Sequence, residues 1–172
     1  MSALRIVSLP AATAAVLDGG VAVHGAPAKG LGLHLSGDGH LGADIIHVPA
    51  GGQFPVHTHP GHHLLLCLEG LGTITVDEVV HQVRPGDLYM VDGQVPHAVG
   101  AGDRDHVLVA IGAPHRPVDS PDRMTFTDWE GTRLDEPLFP PPAPARSTGR
   151  GSGKGRHRAT GPATGPATGA AS

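Results

Sequence analysis

Residues 51–70 read GGQFPVHTHPGHHLLLCLEG, and their centre is the histidine constellation His57-Thr58-His59-Pro60-Gly61-His62-His63. Successive side chains of a strand point to opposite faces, so His57 and His59 share one face. His63 has the same parity and joins them if the strand resumes in register after Pro60-Gly61. Three imidazoles then converge on one side of a sheet, expected to be the interior of a barrel. Imidazole nitrogen is a suitable ligand for Fe, Mn, Ni, Cu, Co or Zn. His62 has the opposite parity and is expected in solvent, although a one-residue slip would exchange it with His63.

Working outward, short β-rich runs alternate with turn signals from Leu31 to Pro117. Leu31–Leu35 alternates and leads into the turn Ser36-Gly37-Asp38-Gly39. Ala43–Val48 reads as a strand closed by Pro49-Ala50-Gly51-Gly52. Val56–Leu68 follows and ends at a turn, Glu69-Gly70. Thr73–Val76 and Val79–Val83 flank a tight turn at Asp77-Glu78. Arg84-Pro85-Gly86-Asp87 precedes Leu88–Val91, Asp92-Gly93 precedes Val95–Gly100, and Asp105–Ile111 is the last clear strand. No helical periodicity competes with this pattern, and many short strands in one small domain mean a sandwich or barrel. His97, in Val95-Pro96-His97-Ala98-Val99, is placed to supply a fourth imidazole from across that barrel.

Two stretches of this region resemble the paired sequence motifs of the cupin superfamily. In the first, Gly51, His57, His59 and Gly70 fall in place, and His63 occupies the position of the acidic ligand. In the second, Gly86, Asp87 and His97 match, while Asp92, Gln94 and Ala101 replace the pattern's Pro, Gly and Asn. The resemblance implies an all-β double-stranded β-helix (jelly-roll barrel) over residues 31–118. With His63 in place of a carboxylate, it is similar to small single-domain cupins with an all-histidine metal site: His57, His59, His63 and His97. It further implies one divalent transition-metal ion, with Fe or Mn favoured and Zn, Ni, Cu or Co as alternatives, and a homodimer.

Four neutral imidazoles leave the ion's charge uncompensated, which favours an anionic ligand such as an enolate or carboxylate. Four ligands in an octahedron leave two open positions, enough for a chelating substrate or for substrate plus O₂. By analogy with the family, the leading expectation is an Fe- or Mn-dependent dioxygenase or other oxygenase acting on a small enolisable or carboxylate substrate. The alternatives are a non-redox isomerase, lyase, decarboxylase or cyclase, and a non-catalytic metal or small-ligand binding module. Gln53, Phe54, Tyr89 and Met90 are candidates for the substrate pocket, and one of Tyr89 and Met90 must face inward.

The other histidines are weaker signals. His47 and His106 lie in strands, either as partners orienting a ligand or as ordinary core or surface side chains. His24, His34, His40, His81 and His115 lie near turns or ends and read as surface. Cys67 lies four strand residues, about 13 Å, beyond His63 and reads as a buried small hydrophobe at the other end of the barrel. No Ser-His-Asp arrangement, paired carboxylates or phosphate loop offers other chemistry.

The flanks bound the rest. Residues 1–30 are Ala- and Gly-rich and are expected to form an N-terminal arm, an edge strand or loop. Residues 119–139 carry the only Trp and are expected to pack on the barrel as a strand or short helix. Residues 140–172 hold no aromatic residue and end in ATGPATGPATG, so disorder is expected. That tail carries five basic and no acidic residues; the remaining body has seven basic against sixteen acidic. An acidic body argues against nucleic acid as its partner. No long apolar run suggests a membrane span, and one cysteine with only a faint N-terminal leader pattern suggests the cytoplasm.

Overall fold

The computed structural model describes Leu4 and residues 6–141; the expected disordered tail lies, from residue 142 onward, outside the described residues. Nine antiparallel strands curl into one sheet: β1 Val21–Ala22, β2 Lys29–Leu35, β3 Gly42–Val48, β4 His57–Thr58, β5 His62–Val76, β6 Val79–Val83, β7 Leu88–Asp92, β8 His97–Ala113 and β9 Thr125–Phe126. The expected jelly-roll barrel is therefore present. Its spine is the pair β5 and β8, which run antiparallel from His62↔Ala113 to Val76↔His97. β7 pairs with the first half of β5 and β6 with the second, while β3 and β4 pair with β8.

Two expected breaks are absent. Glu69-Gly70 is not a turn: β5 continues through it, with irregular register on either side of Gly70. Gly70 has φ +82°, and a Cβ there would collide with the carbonyl oxygen of Asp105 on β8. The glycine therefore bends the ladder without ending it, as a bulge does. The two expected strands Val95–Gly100 and Asp105–Ile111 are likewise one strand, β8, whose two parts pair with the second and first halves of β5.

Asp77-Glu78 is the tight turn expected, joining Val76↔Val79 with both residues left-handed (φ 49° and 61°). That backbone suits Asn-Gly far better than Asp-Glu. Glu78→Gly is therefore expected to stabilise the fold by about 1 kcal/mol, relieving a left-handed non-glycine residue. Chemical denaturation would read this as a higher midpoint with unchanged slope.

The N-terminal arm departs from expectation, because Leu9–Gly19 forms an α-helix, α1. Four alanines among residues 11–15 have high helix propensity, and Pro10 lies in the first turn, where a missing N–H costs nothing. Ala12 and Val16 pack against Leu33, Ile45, Val107 and Val109, on the outer faces of β2, β3 and β8. Their strand neighbours Ile46, Leu108 and Ala110 point the other way, into the barrel core with Leu65, Val91 and Val99. The central strands are thus covered on both faces. Each fully buried aliphatic side chain contributes about 1.5–3 kcal/mol. Among the described residues no helix is long and apolar enough to cross a membrane.

After β8 the chain forms a 3₁₀ turn at Pro121–Arg123 followed by β9, which pairs with β4. Ser120 caps the turn by accepting a hydrogen bond from the Asp122 backbone N–H (3.3 Å). Arg123 and Met124 of this segment line the cavity that holds the histidines.

Candidate metal centre

The sheet itself brings the histidines together. β4 is only two residues long, and its partner in β8 sets His57 directly opposite His97. The Nδ1–H of each donates to the carbonyl two residues earlier: His57 to Pro55 at 2.8 Å, His97 to Val95 at 2.7 Å. A carbonyl can only accept, so Nδ1 must hold the proton and Nε2 is left with its lone pair. This is how protein groups orient imidazoles that bind metals. Both strands enter the site through the same local device, with Pro55 and Pro96 stiffening the approach.

His59 follows the end of β4, where the chain turns at Pro60-Gly61. Its backbone N–H donates to the Gly93 carbonyl (2.8 Å), and the Gln94 side-chain amide donates to its carbonyl (3.0 Å). Gln94, a departure from the motif pattern, therefore clamps a histidine carbonyl. Nε2 of His59 lies 3.2 Å from Nε2 of His97. An ion about 2.0–2.1 Å from both nitrogens would subtend an angle of about 100° there, which tetrahedral and octahedral sites accommodate. The donor set fits a transition-metal ion on these grounds. The ligand nitrogens of His57, His59 and His97 all lie within 4.8 Å of one another, and all three side chains are buried.

His63 lies on β5 in the same cavity. Its ring stacks on His59 with centroids 4.0 Å apart and planes 21° apart, so it stands beside the three-histidine group. His62 points outward beside Asp92 at 3.5 Å, as its parity requires. Burial is the main cause that lowers the basicity of all four inward imidazoles. It takes His97 down to about 4 and His63 to about 2, holds His57 well below the usual range, and lowers His59. All four are therefore neutral at neutral pH, with lone pairs free for an ion.

The rest of the cavity is nearly apolar. Phe54, one of the four pocket candidates, lines it together with Leu65, Val99 and Met124. Gln53 does not; it bridges to Gly100 instead. Strand alternation sorts the remaining pair: Tyr89 packs against the core without lining the cavity, and Met90 is 73% exposed. Cys67 is buried, as expected. Its Sγ lies 3.6 Å from Nδ1 of His106, a fully buried core histidine, and desolvation pushes the thiol up to about 11, which leaves it unreactive.

Three residues of the site escaped the sequence. Arg123 lines the cavity and is 6% exposed; its Nη1 donates to Asp44 Oδ2 at 2.7 Å and to the Arg116 carbonyl at 2.6 Å. Nε2 of His115 lies 2.9 Å from the same carboxylate oxygen. His115 is thus buried rather than on the surface. Its ring fills the space left by the paired glycines Gly42 and Gly112, where a Cβ on either would strike it. The one sequence signal was Asp44 itself, a carboxylate next to the apolar pair Ile45-Ile46 in a strand. Such a residue inside a barrel needs a cation.

Comparison with known proteins agrees with this architecture. The family model described as a cupin domain matches residues 44–112. A cupin 2 conserved barrel domain protein from Rhodopseudomonas palustris is similar in structure, with TM-score 0.52, 18% identity, and coverage of 64% of this chain and 76% of that one. The polyketide cyclase RemF from Streptomyces resistomycificus is similar at TM-score 0.51 and 23% identity, covering 63% and 78%. A cupin 2 domain-containing protein from Halorhodospira halophila reaches 0.50 at 18% identity, covering 66% and 78%. No curated protein matches the sequence.

Proposed function

We propose that this chain, whose barrel is a cupin domain with three histidines placed for a metal, is a metal-dependent oxygenase of small enolisable or carboxylate substrates. His57, His59 and His97 would hold the ion, and His63 is the proposed fourth ligand, its imidazole already inside the cavity. Bound Fe or Mn would supply Lewis acidity and one-electron chemistry toward O₂. The observation that carries this reading is the lining. Besides the four imidazoles and Arg123, every residue lining the cavity is apolar, with no carboxylate, lysine, hydroxyl or phenol. An enzyme that only shuffles protons needs an acid or base within reach of substrate, and here the imidazoles alone offer one. With three of them holding the ion, most of the chemistry in this cavity would come from the metal. The apolar wall excludes water and strengthens every charge interaction inside.

A non-redox reading, as an isomerase, lyase, decarboxylase or cyclase, rests on one observation: His63 stands outside the three-histidine group and could carry a proton. RemF is a cyclase by name, and its likeness to this chain supports the shared fold.

The test loads the full-length chain with Fe(II), Mn(II) or Zn(II) and follows O₂ uptake with enolisable ketones and keto acids. Uptake with Fe or Mn that exceeds the free ion, and none with Zn, is the expected result. Product formation with Zn as readily as with Fe would replace oxygenase by Lewis-acid chemistry. Metal binding without turnover by any ion would leave a binding module.

A further inference from the structure

The geometry points to Arg123 as the residue that selects a carboxylate on the substrate, so that the cavity takes small keto acids in preference to neutral ketones of the same shape. The inference deepens the metal-dependent reading above and rests on it.

A guanidinium carries five N–H donors. In Arg123 both Nη1 hydrogens are used, on Asp44 and on the Arg116 carbonyl. The other three, on Nε and Nη2, make no hydrogen bond to any described residue. An arginine brought only to pair Asp44 would satisfy itself in the wall, whereas this one lines the cavity that holds the histidines. Its charge is felt there, adding to the causes that lower the basicity of His59 and His63.

Charge balance leads the same way. Asp44 offsets the guanidinium, and neutral imidazoles offset nothing, so a divalent ion leaves two positive charges in a mostly apolar cavity. The enolate of a keto acid carries two negative charges. Its enolate oxygen suits the ion, and its carboxylate suits the planar fork of an arginine, which binds carboxylates through two parallel hydrogen bonds. Arg123 also lies beyond the stretch that the cupin family model matches, on the 3₁₀ turn that follows β8. Specificity would then be set by a segment outside that stretch.

Acetoacetate and acetylacetone form a matched pair: the same enolisable skeleton, with a carboxylate in one and an acetyl group in the other. Binding is measured by calorimetry on the full-length chain loaded with Zn(II), which removes O₂ chemistry from the readout. Wild type is expected to prefer acetoacetate by about ten- to a hundred-fold, the range for hydrogen bonds to a charged group. The double variant Asp44→Leu/Arg123→Met removes both charges together and is expected to lose that preference while keeping its zinc. If it does not unfold cooperatively, Arg123→Lys keeps a cation for Asp44 but not the fork, and should lose most of the preference. Equal binding of the two probes by wild type, or a preference that survives in the variants, overturns the inference. Failure to hold any metal would overturn the metal-dependent reading instead. The same probes on metal-free protein would then decide Arg123 on its own, by whether acetoacetate alone raises the unfolding midpoint.

Discussion

Replacing His97 by alanine is expected to empty the metal site. Wild-type protein should carry about one ion per chain, and the variant less than about a tenth of that after dialysis against free metal. His97 lies opposite His57 and 3.2 Å from the Nε2 of His59, so its loss leaves two nitrogens of the three-histidine group, with His63 beside them outside that group. Even the loss of a group that merely orients a ligand costs about 10–100-fold in affinity; loss of the ligand itself must cost more. His63→Ala leaves the three-histidine group in place and is expected to fall nearer that 10–100-fold range. Elemental analysis separates the two variants, and thermal unfolding gives an independent readout. Metal at about a thousand times its dissociation constant adds about 4 kcal/mol to wild type. It should add almost nothing to His97→Ala. Near-normal metal in His97→Ala would mean that the ion, if bound, sits elsewhere.

Acid should act on the same site through folding. Buried His97 titrates near 4 and His106 near 4, against about 6.5 in an unfolded chain. Between those values the unfolded state binds the extra protons, so stability falls as pH drops from about 6.5 toward 4 and is unaffected by these groups above 7. Denaturant unfolding measured between pH 7 and pH 4 is expected to show that fall as a lower midpoint.

How much of this was legible in the sequence depends on whether a residue acts through a period or through a distant partner. The parity of His57, His59 and His63 and the turn at Asp77-Glu78 are local facts, and strand geometry converts them directly into directions. His62 against His63 followed from the same rule. The bulge at Gly70 was not legible as such, because a glycine beside Glu69 signals a turn equally well; only the facing carbonyl of Asp105 decides. α1 was hidden for another reason. Its residues are mostly alanine, so its apolar face is weakly marked, and its place is fixed by the outer surface of β3 and β8. Arg123 and His115 were invisible because their meaning lies in Asp44, which is 79 residues from the first and 71 from the second. His115 read as surface, and nothing in the sequence singled out Arg123.

That trio gives the largest stability effect expected in the molecule. Asp44→Ala is expected to destabilise the fold by about 3–5 kcal/mol, the cost of leaving a buried guanidinium without its counter-ion. Asp44 and Arg123 are both nearly inaccessible, with side-chain exposures of 3% and 6%. Water therefore cannot take the place of the carboxylate without opening the barrel mouth. The loss also frees the 3₁₀ turn, since the ion pair is what ties Pro121–Arg123 to β3. Removing both charges is a different experiment: an apolar pair of similar volume in place of a buried ion pair is often neutral or stabilising by about 1–4 kcal/mol. Asp44→Leu/Arg123→Met is accordingly expected to recover most of what Asp44→Ala loses, as measured by denaturant unfolding. If the single variant is as stable as wild type, Arg123 must have another anion or solvent within reach. If the double variant is stable but no longer discriminates acetoacetate from acetylacetone, stability and specificity separate cleanly. The buried charge would then be retained for what it binds rather than for what it holds together.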